Sequence, residues 1–303
     1  MDSVLQQGPD RPFDRVERWA LFALFGYTLI ALMGYVGFGL NPQNLPGRDF
    51  AIRIYQVAFV VFSRAQIVIS GLVLFVVLYR HARLRWLPAF AAVYLISFTA
   101  EHVGTGYGIP FSGYEYTALL GPRLGPRVPL VIPMSWFLMS APSWILARAV
   151  FPETRAWLGR IVIGSLLLVT WDLALDPAMS NMTTYWLWET RGSFYGMPWI
   201  NLLGWFATGV AIFSALEWLQ RATDWAGSLS TKWAAAYYAG VLLMPLGMVT
   251  AGGLWGSTAA TIGALALLQR FHASRAARRL AATGSADLER EGLAATAGSG
   301  SAP

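Results

Sequence analysis

The chain contains no cysteine, only three histidines and little charge. Without cysteine there is no disulfide, no iron–sulfur cluster and no thiolate zinc site, and the redox compartment stays undetermined. His81, His102 and His272 are too few and too scattered for a histidine-rich di-iron centre, which argues against oxygen-dependent chemistry. Charged residues make up 13% of the 303 positions and hydrophobic ones 56%, with a mean hydropathy of +0.49. That balance belongs to proteins that cross a bilayer several times, and it excludes an ordinary soluble two-domain enzyme.

The net charge of +6 comes almost entirely from arginine. In a membrane protein this reads as topology and contact with anionic lipid, not as nucleic-acid binding. Residues 1–18 mix Asp10, Asp14 and Glu17 with Arg11, Arg15 and Arg18, unlike the start of a cleaved signal peptide, so the first span is expected to be retained. Apolar runs near 19–40, 54–79, 86–104, 128–149, 157–176, 198–219, 233–250 and 253–270 predict an all-α polytopic bundle of about eight membrane helices. The expected plan is a cytoplasmic segment 1–18, a membrane-embedded catalytic domain 19–270, and a disordered tail 271–303 rich in Gly, Ser, Ala and Thr. With the N-terminus inside, the inner segments collect 16 basic residues and the outer ones 5, the bias expected of a cell-membrane protein with both termini cytoplasmic. The long loops 105–127 and 177–197 then emerge on the same outer side.

Two stretches follow one plan, which predicts an internal two-fold repeat. A span beginning at Trp86 reaches Glu101, passes Tyr114-Glu115-Tyr116 and continues into a span with Pro129 and Trp136. A second, beginning at Trp157, reaches Asp172, passes Trp186-Leu187-Trp188 and continues to Pro198 and Trp205. Trp86 to Glu101 and Trp157 to Asp172 are both 15 residues, so the two acids lie at matching depth. An acid from each half facing a shared cavity is one way to build a site between membrane helices.

Ionisable groups inside a span are costly and mark function by default. Asp172 and Asp176 lie four apart on one helix face, and Pro177 places Asp176 at the helix end. Two close carboxyls out of water resist ionising together, and the one that keeps its proton is an acid. Asp176 alternatively has a structural task with nearby backbone donors. Glu101 alternatively pairs with Arg64, which lies inside the second span and needs a partner wherever it is. His102 is adjacent in sequence but about 100° away around the helix, and it lacks a second histidine or cysteine at metal-site spacing, so no metal site is expected.

Around the acids crowd Trp171, Trp186, Trp188, Tyr195, Trp199 and Trp205, with Phe111, Tyr114, Tyr116 and Trp136 from the other half. Aromatic faces attract cations, and a carbocation formed in a reaction draws on the same quadrupole. An acid ringed by such faces suits protonation of an alkene.

Glu101, Gly104, Pro110-Phe111, Gly113-Tyr114-Glu115-Tyr116, Val128-Pro129, Ile132-Pro133 and Trp136 resemble the carotenoid 1',2'-hydratase family, which is related to the bisanhydrobacterioruberin hydratases. Asp172, Asp176-Pro177, Trp186, Trp188, Gly192, Tyr195-Gly196, Pro198, Asn201 and Gly204-Trp205 continue the resemblance, which is close over about residues 100–205. Ser112 departs from it by interrupting the Pro-Phe-Gly turn. The resemblance implies water addition across the terminal double bond of an acyclic carotenoid end group, of γ-carotene or lycopene type, without a cofactor. It also implies a substrate drawn from the bilayer and a tertiary alcohol that a glycosyltransferase can take onward. In the resulting scheme Asp172 or Asp176 protonates C2', Trp186, Trp188 and Tyr114 stabilise the cation at C1', and Glu101 positions or deprotonates water. The competing readings are a membrane prenyltransferase, for which Asp172-xxx-Asp176 is half of the usual pair of aspartate motifs, and a transporter or proton relay using Glu101, Asp172 and Arg64.

Overall fold

A computed structural model describes residues 11–298. Asp14 starts the first helix, α1 (Arg15–Gly34), in a reciprocal cap: its Oδ1 accepts the Glu17 N–H and Glu17 Oε2 accepts the Asp14 N–H, both at 2.9 Å. The helix is extended by a wider π-helical turn, Tyr35–Gly39. There follow α2 (Asp49–Ala82), α3 (Leu87–Tyr107), α4 (Val131–Val150), α5 (Trp157–Asp176), α6 (Trp199–Thr223), α7 (Thr231–Ala251) and α8 (Trp255–Gly298).

The all-α polytopic architecture is thus present, and all eight expected apolar runs fall on helices. Among the described residues six stretches are long and apolar enough to cross a membrane by length and composition: Arg15–Gly39, Asp49–Ala82, Leu87–Tyr107, Trp157–Asn181, Trp199–Thr223 and Thr231–Ala251. Of the eight expected spans, α4 and α8 fall outside that set by composition. Most of α4 is buried, including Ser140, Pro142 and Ser143, because it packs against α3, α5 and α7. A helix enclosed by other helices has no need of an apolar face for lipid, and its composition follows. The start of α8 carries Gly256, Ser257 and Thr258 and soon reaches Gln269 and Arg270, too polar a run for a span.

At the chain ends, residues 1–10 and 299–303 lie outside the described residues, and with them most of the expected N-terminal segment. The helix α8 continues to Gly298, through Ala, Arg and Leu positions that rank among the best helix formers.

Two buried polar clasps tie helix ends together. Glu17, wholly buried, pairs with Arg11 at 2.5 Å and with His81 on α2 at 3.2 Å. Arg160 at the start of α5 forks onto Glu217 of α6, with Nε to Oε2 at 2.8 Å and Nη2 to Oε1 at 2.6 Å.

The two long loops carry the little sheet there is. Strand β1 (Tyr114–Tyr116) and β4 (Trp186–Trp188) pair antiparallel, while β2 (Arg123–Leu124) and β3 (Val128–Pro129) form a second short ribbon. The β1–β4 register sets Tyr114 against Trp188, Glu115 against Leu187 and Tyr116 against Trp186. These are the two segments that the sequence aligns as repeats, and they meet about a local two-fold centred on Glu115 and Leu187.

Candidate active site

Glu101 lies on the buried side of α3, six residues before the helix ends at Tyr107. Alternation along β1 turns Tyr114 and Tyr116 inward and Glu115 outward. Both phenols therefore reach Glu101 Oε2: the Tyr114 hydroxyl donates to it, and the Tyr116 hydroxyl donates at 2.6 Å. Trp136 of α4 donates Nε1–H to Oε1 at 2.8 Å. Burial, followed by the neighbouring Glu101 charge, pushes both phenols well above the usual tyrosine range, so they remain hydrogen-bond donors. Arg64 takes no part, since its guanidinium is spent on the carbonyls of Leu119 at 2.7 Å and Ala118 at 3.1 Å. His102 stacks on Phe98 with ring centroids 5.7 Å apart.

Asp176 ends α5 as the position before Pro177 predicts, and the chain turns on through a second π-helical turn, Pro177–Asn181. That turn brings the Ser180 hydroxyl back to Asp176 Oδ1 at 2.8 Å, and Trp188 adds its N–H to the same oxygen at 3.1 Å. Asn201, near the start of α6, divides its amide between two acids. One Nδ2–H reaches Asp176 Oδ2 and the other Asp172 Oδ2, both at 3.1 Å. Asp176 is held by side chains, not by the backbone donors that the structural reading of it called for.

Between these clusters lies a cavity of about 380 Å³. Glu101, Asp176 and Asn201 line it together with Phe111, Tyr114, Tyr116, Trp136, Trp171, Trp186, Trp188 and Trp205. The rings lock one another: Trp136 stacks on Trp205 at 4.2 Å, Trp171 meets Trp205 edge-on at 5.6 Å, and Tyr114 packs against Trp188 at 5.1 Å. Phe111 is wedged between α3 and α6 where only glycine fits. A Cβ on Gly104 would meet the ring at 2.6 Å, and one on Gly204 would meet it at 2.5 Å.

Two residues singled out by sequence do not face the cavity. Asp172 is completely buried but not part of its wall. The Tyr195 hydroxyl is turned to the N–H of Gly256, 2.9 Å away. Conversely, the sequence analysis missed Ser180, for which its place one turn beyond Asp176 is the readable signal. Nor did it mark the far wall, which Tyr35 and Phe38 of the first span and Phe62 and Gln66 of α2 supply. Phe38 and Phe62 are partly exposed on the outside of the helices, so this wall reaches the surface of the bundle.

The arrangement favours proton transfer over metal chemistry. An aspartate pair that grips a magnesium diphosphate must offer its oxygens to the ion, whereas here the Asn201 amide directs a hydrogen to each carboxyl. Asp14, Glu17 and His81 bring potential ligand atoms within 4.8 Å of one another near the start of α1, but the Arg11 guanidinium already occupies Glu17.

A polytopic helical membrane protein with two hydrogen-bonded carboxyls facing one aromatic chamber is the class that fold and site define. The chain belongs to the carotenoid biosynthesis protein family, which it matches over residues 62–268. It is also similar to the bisanhydrobacterioruberin hydratase of Haloarcula japonica, with 29% identity over 183 residues. That alignment spans 60% of this chain and 60% of the relative. No solved structure matches the chain.

Proposed function

We propose that the protein is a carotenoid hydratase that adds water across the terminal C1'=C2' double bond of an acyclic end group, γ-carotene or lycopene-like, to give a 1'-hydroxy carotenoid. The observation that carries this reading is that Glu101 and Asp176 stand on the wall of the same aromatic cavity. Asp176 gives its proton to C2', and the tertiary cation forms at C1' among the faces of Tyr114, Trp186 and Trp188. Water bonds to C1' through oxygen and loses a proton to Glu101, whose three donors suit it to the anionic state from which it accepts. One proton enters the product and one is recovered, so transfer from Glu101 back to Asp176 resets the site without oxidant or cofactor. The name of the Haloarcula relative and the family match support the same chemistry. The polyene enters from the bilayer past Phe38 and Phe62, in a cell membrane with both termini cytoplasmic, and the alcohol is released to an enzyme such as a glycosyltransferase.

The test is expression in a bacterial host that makes lycopene or γ-carotene, with mass spectrometry of the pigments after growth in heavy-oxygen water. Wild type is expected to add one labelled water, and Asp176→Asn and Glu101→Gln are expected to add none. An oxygen drawn from air, a five-carbon gain, or unchanged pigment would refute hydration; the second of these would instead indicate prenyl transfer.

A further inference from the structure

Asp172 is unused by that scheme, although it is one of the most deeply buried acids in the chain, with 0% exposure. It lies one helical turn before Asp176 and outside the cavity wall. Its Oδ2 accepts from Asn201, and its Oδ1 has no hydrogen-bond partner. The contrast with the other two acids is sharp. Asp176 has Ser180, Trp188 and Asn201 as donors; Glu101 has Tyr114, Tyr116 and Trp136.

An acid that gives and regains a proton must be tolerated in both charge states. As an anion Asp176 is met by three donors, and as an acid it can have the Ser180 hydroxyl turn and accept from it. For Asp172 only one state is acceptable. A buried carboxylate with a single donor costs far more than a neutral acid with one unmatched O–H. The amide nitrogen of Asn201 also lies 3.1 Å from Met197 Sδ, but a thioether is a weak acceptor, so its two hydrogens go to the two carboxyls and what holds one also aims the other.

On the hydratase reading, we infer that Asp172 is a positioning residue: it stays a neutral acid with its proton on Oδ1, and through Oδ2 it fixes the Asn201 amide so that the second N–H is aimed at Asp176. Keeping Asp172 neutral also spares Asp176 a like charge one turn away, which would oppose its return to the anion.

The experiment uses the full chain in lipid nanodiscs. Infrared spectra report the carbonyl stretch of a protonated carboxylic acid apart from the carboxylate bands. Wild type is expected to show two such contributions, one from Asp172 that Asp172→Asn removes and Asp176→Asn retains, and one from the resting proton donor Asp176 that behaves the opposite way. In turnover, Asp172→Ala is expected to lose about tenfold to a hundredfold, the scale of a hydrogen bond to a charged group. Asp172→Asn, neutral and of the same shape, should recover to within roughly threefold of wild type, whereas Asp176→Asn should remain about 10²–10⁴-fold down. A protonated-acid signal that is undiminished in Asp172→Asn, or an Asp172→Asn enzyme as inactive as Asp176→Asn, would overturn the inference. Should Asp172→Ala fail to fold, the asparagine variant and the spectra decide alone. If wild type forms no hydrated pigment, the hydratase reading fails, and the infrared comparison still locates the proton.

Discussion

Trp136 and Trp205 lie face to face, 4.2 Å between ring centroids and 20° between planes, at matching places in the two halves of the bundle. Trp136 also donates its N–H to Glu101 at 2.8 Å, so ring and N–H have separable tasks. Trp136→Phe keeps most of the stack and deletes the donor. Its turnover should fall by about tenfold to a hundredfold, corresponding to the ~1.5–3 kcal/mol of a hydrogen bond to a charged group. Steady-state kinetics on detergent-dispersed carotenoid checks this, with KM expected to change little.

Tyr114 and Tyr116 make stability depend on alkaline pH. Burial, then the Glu101 charge, raises both phenols in the folded protein, whereas in the unfolded chain they ionise near the ordinary value of about 10. The folded state therefore holds protons that the unfolded state loses. Stability from this source is complete below about pH 10 and declines as pH rises beyond it. Thermal midpoints measured from pH 8 to 11 should show the decline in wild type and a flatter profile in Tyr114→Phe/Tyr116→Phe.

Gly204 lies where a methyl group has no room. In Gly204→Ala the new carbon would lie 2.5 Å from the Phe111 ring and 2.6 Å from the Pro110 carbonyl oxygen. Relief of that overlap pushes α6 away from the 110–111 loop and should cost about 1–3 kcal/mol. A lowered unfolding midpoint in detergent is the expected result. Adding Phe111→Ala to the variant should recover less than the substitution cost, because it empties a buried ring site worth about 3–5 kcal/mol by itself.

Glu217→Gln tests the clasp remote from the cavity. It leaves the Arg160 guanidinium, 4% exposed at its side chain, without its ionic partner. Loss of one member of a buried pair costs about 3–5 kcal/mol. Stability should fall while the product formed by the surviving folded enzyme stays the same.

Much of this site could be read from residue order alone. Glu101, Asp172 and Asp176 stand out because a carboxyl in an apolar run has no cheap structural explanation. Sequence could not show which acid faces the cavity. Asp172 and Asp176 share one helical stripe, and what separates them is the Asn201 side chain from another helix and the turn after Pro177. The pairing between Glu101 and Arg64 was a reasonable charge argument defeated by geometry, since the carbonyls of Ala118 and Leu119 reach the guanidinium first. Tyr195 stands apart from the chamber wall because its backbone has a left-handed φ of 54° and its hydroxyl accepts from the Gly256 N–H. The wall from Tyr35 to Gln66 carries ordinary aromatic and apolar side chains that look the same whether they face lipid or line a chamber.

The hydrogen bonds around the acids respect the boundary between the two halves. The donors to Glu101 come from the stretch α3 to α4, and the donors to Asp172 and Asp176 from the stretch α5 to α6. Across the boundary run strand pairing, ring contacts, the Thr117 hydroxyl's bond to the Thr184 carbonyl and the packing of Gly204 on Phe111. Each half thus furnishes a carboxyl already dressed with its own donors, and the one thing neither can furnish alone is the room between them. Whatever molecule fills that room is the sole chemical conversation the two acids share.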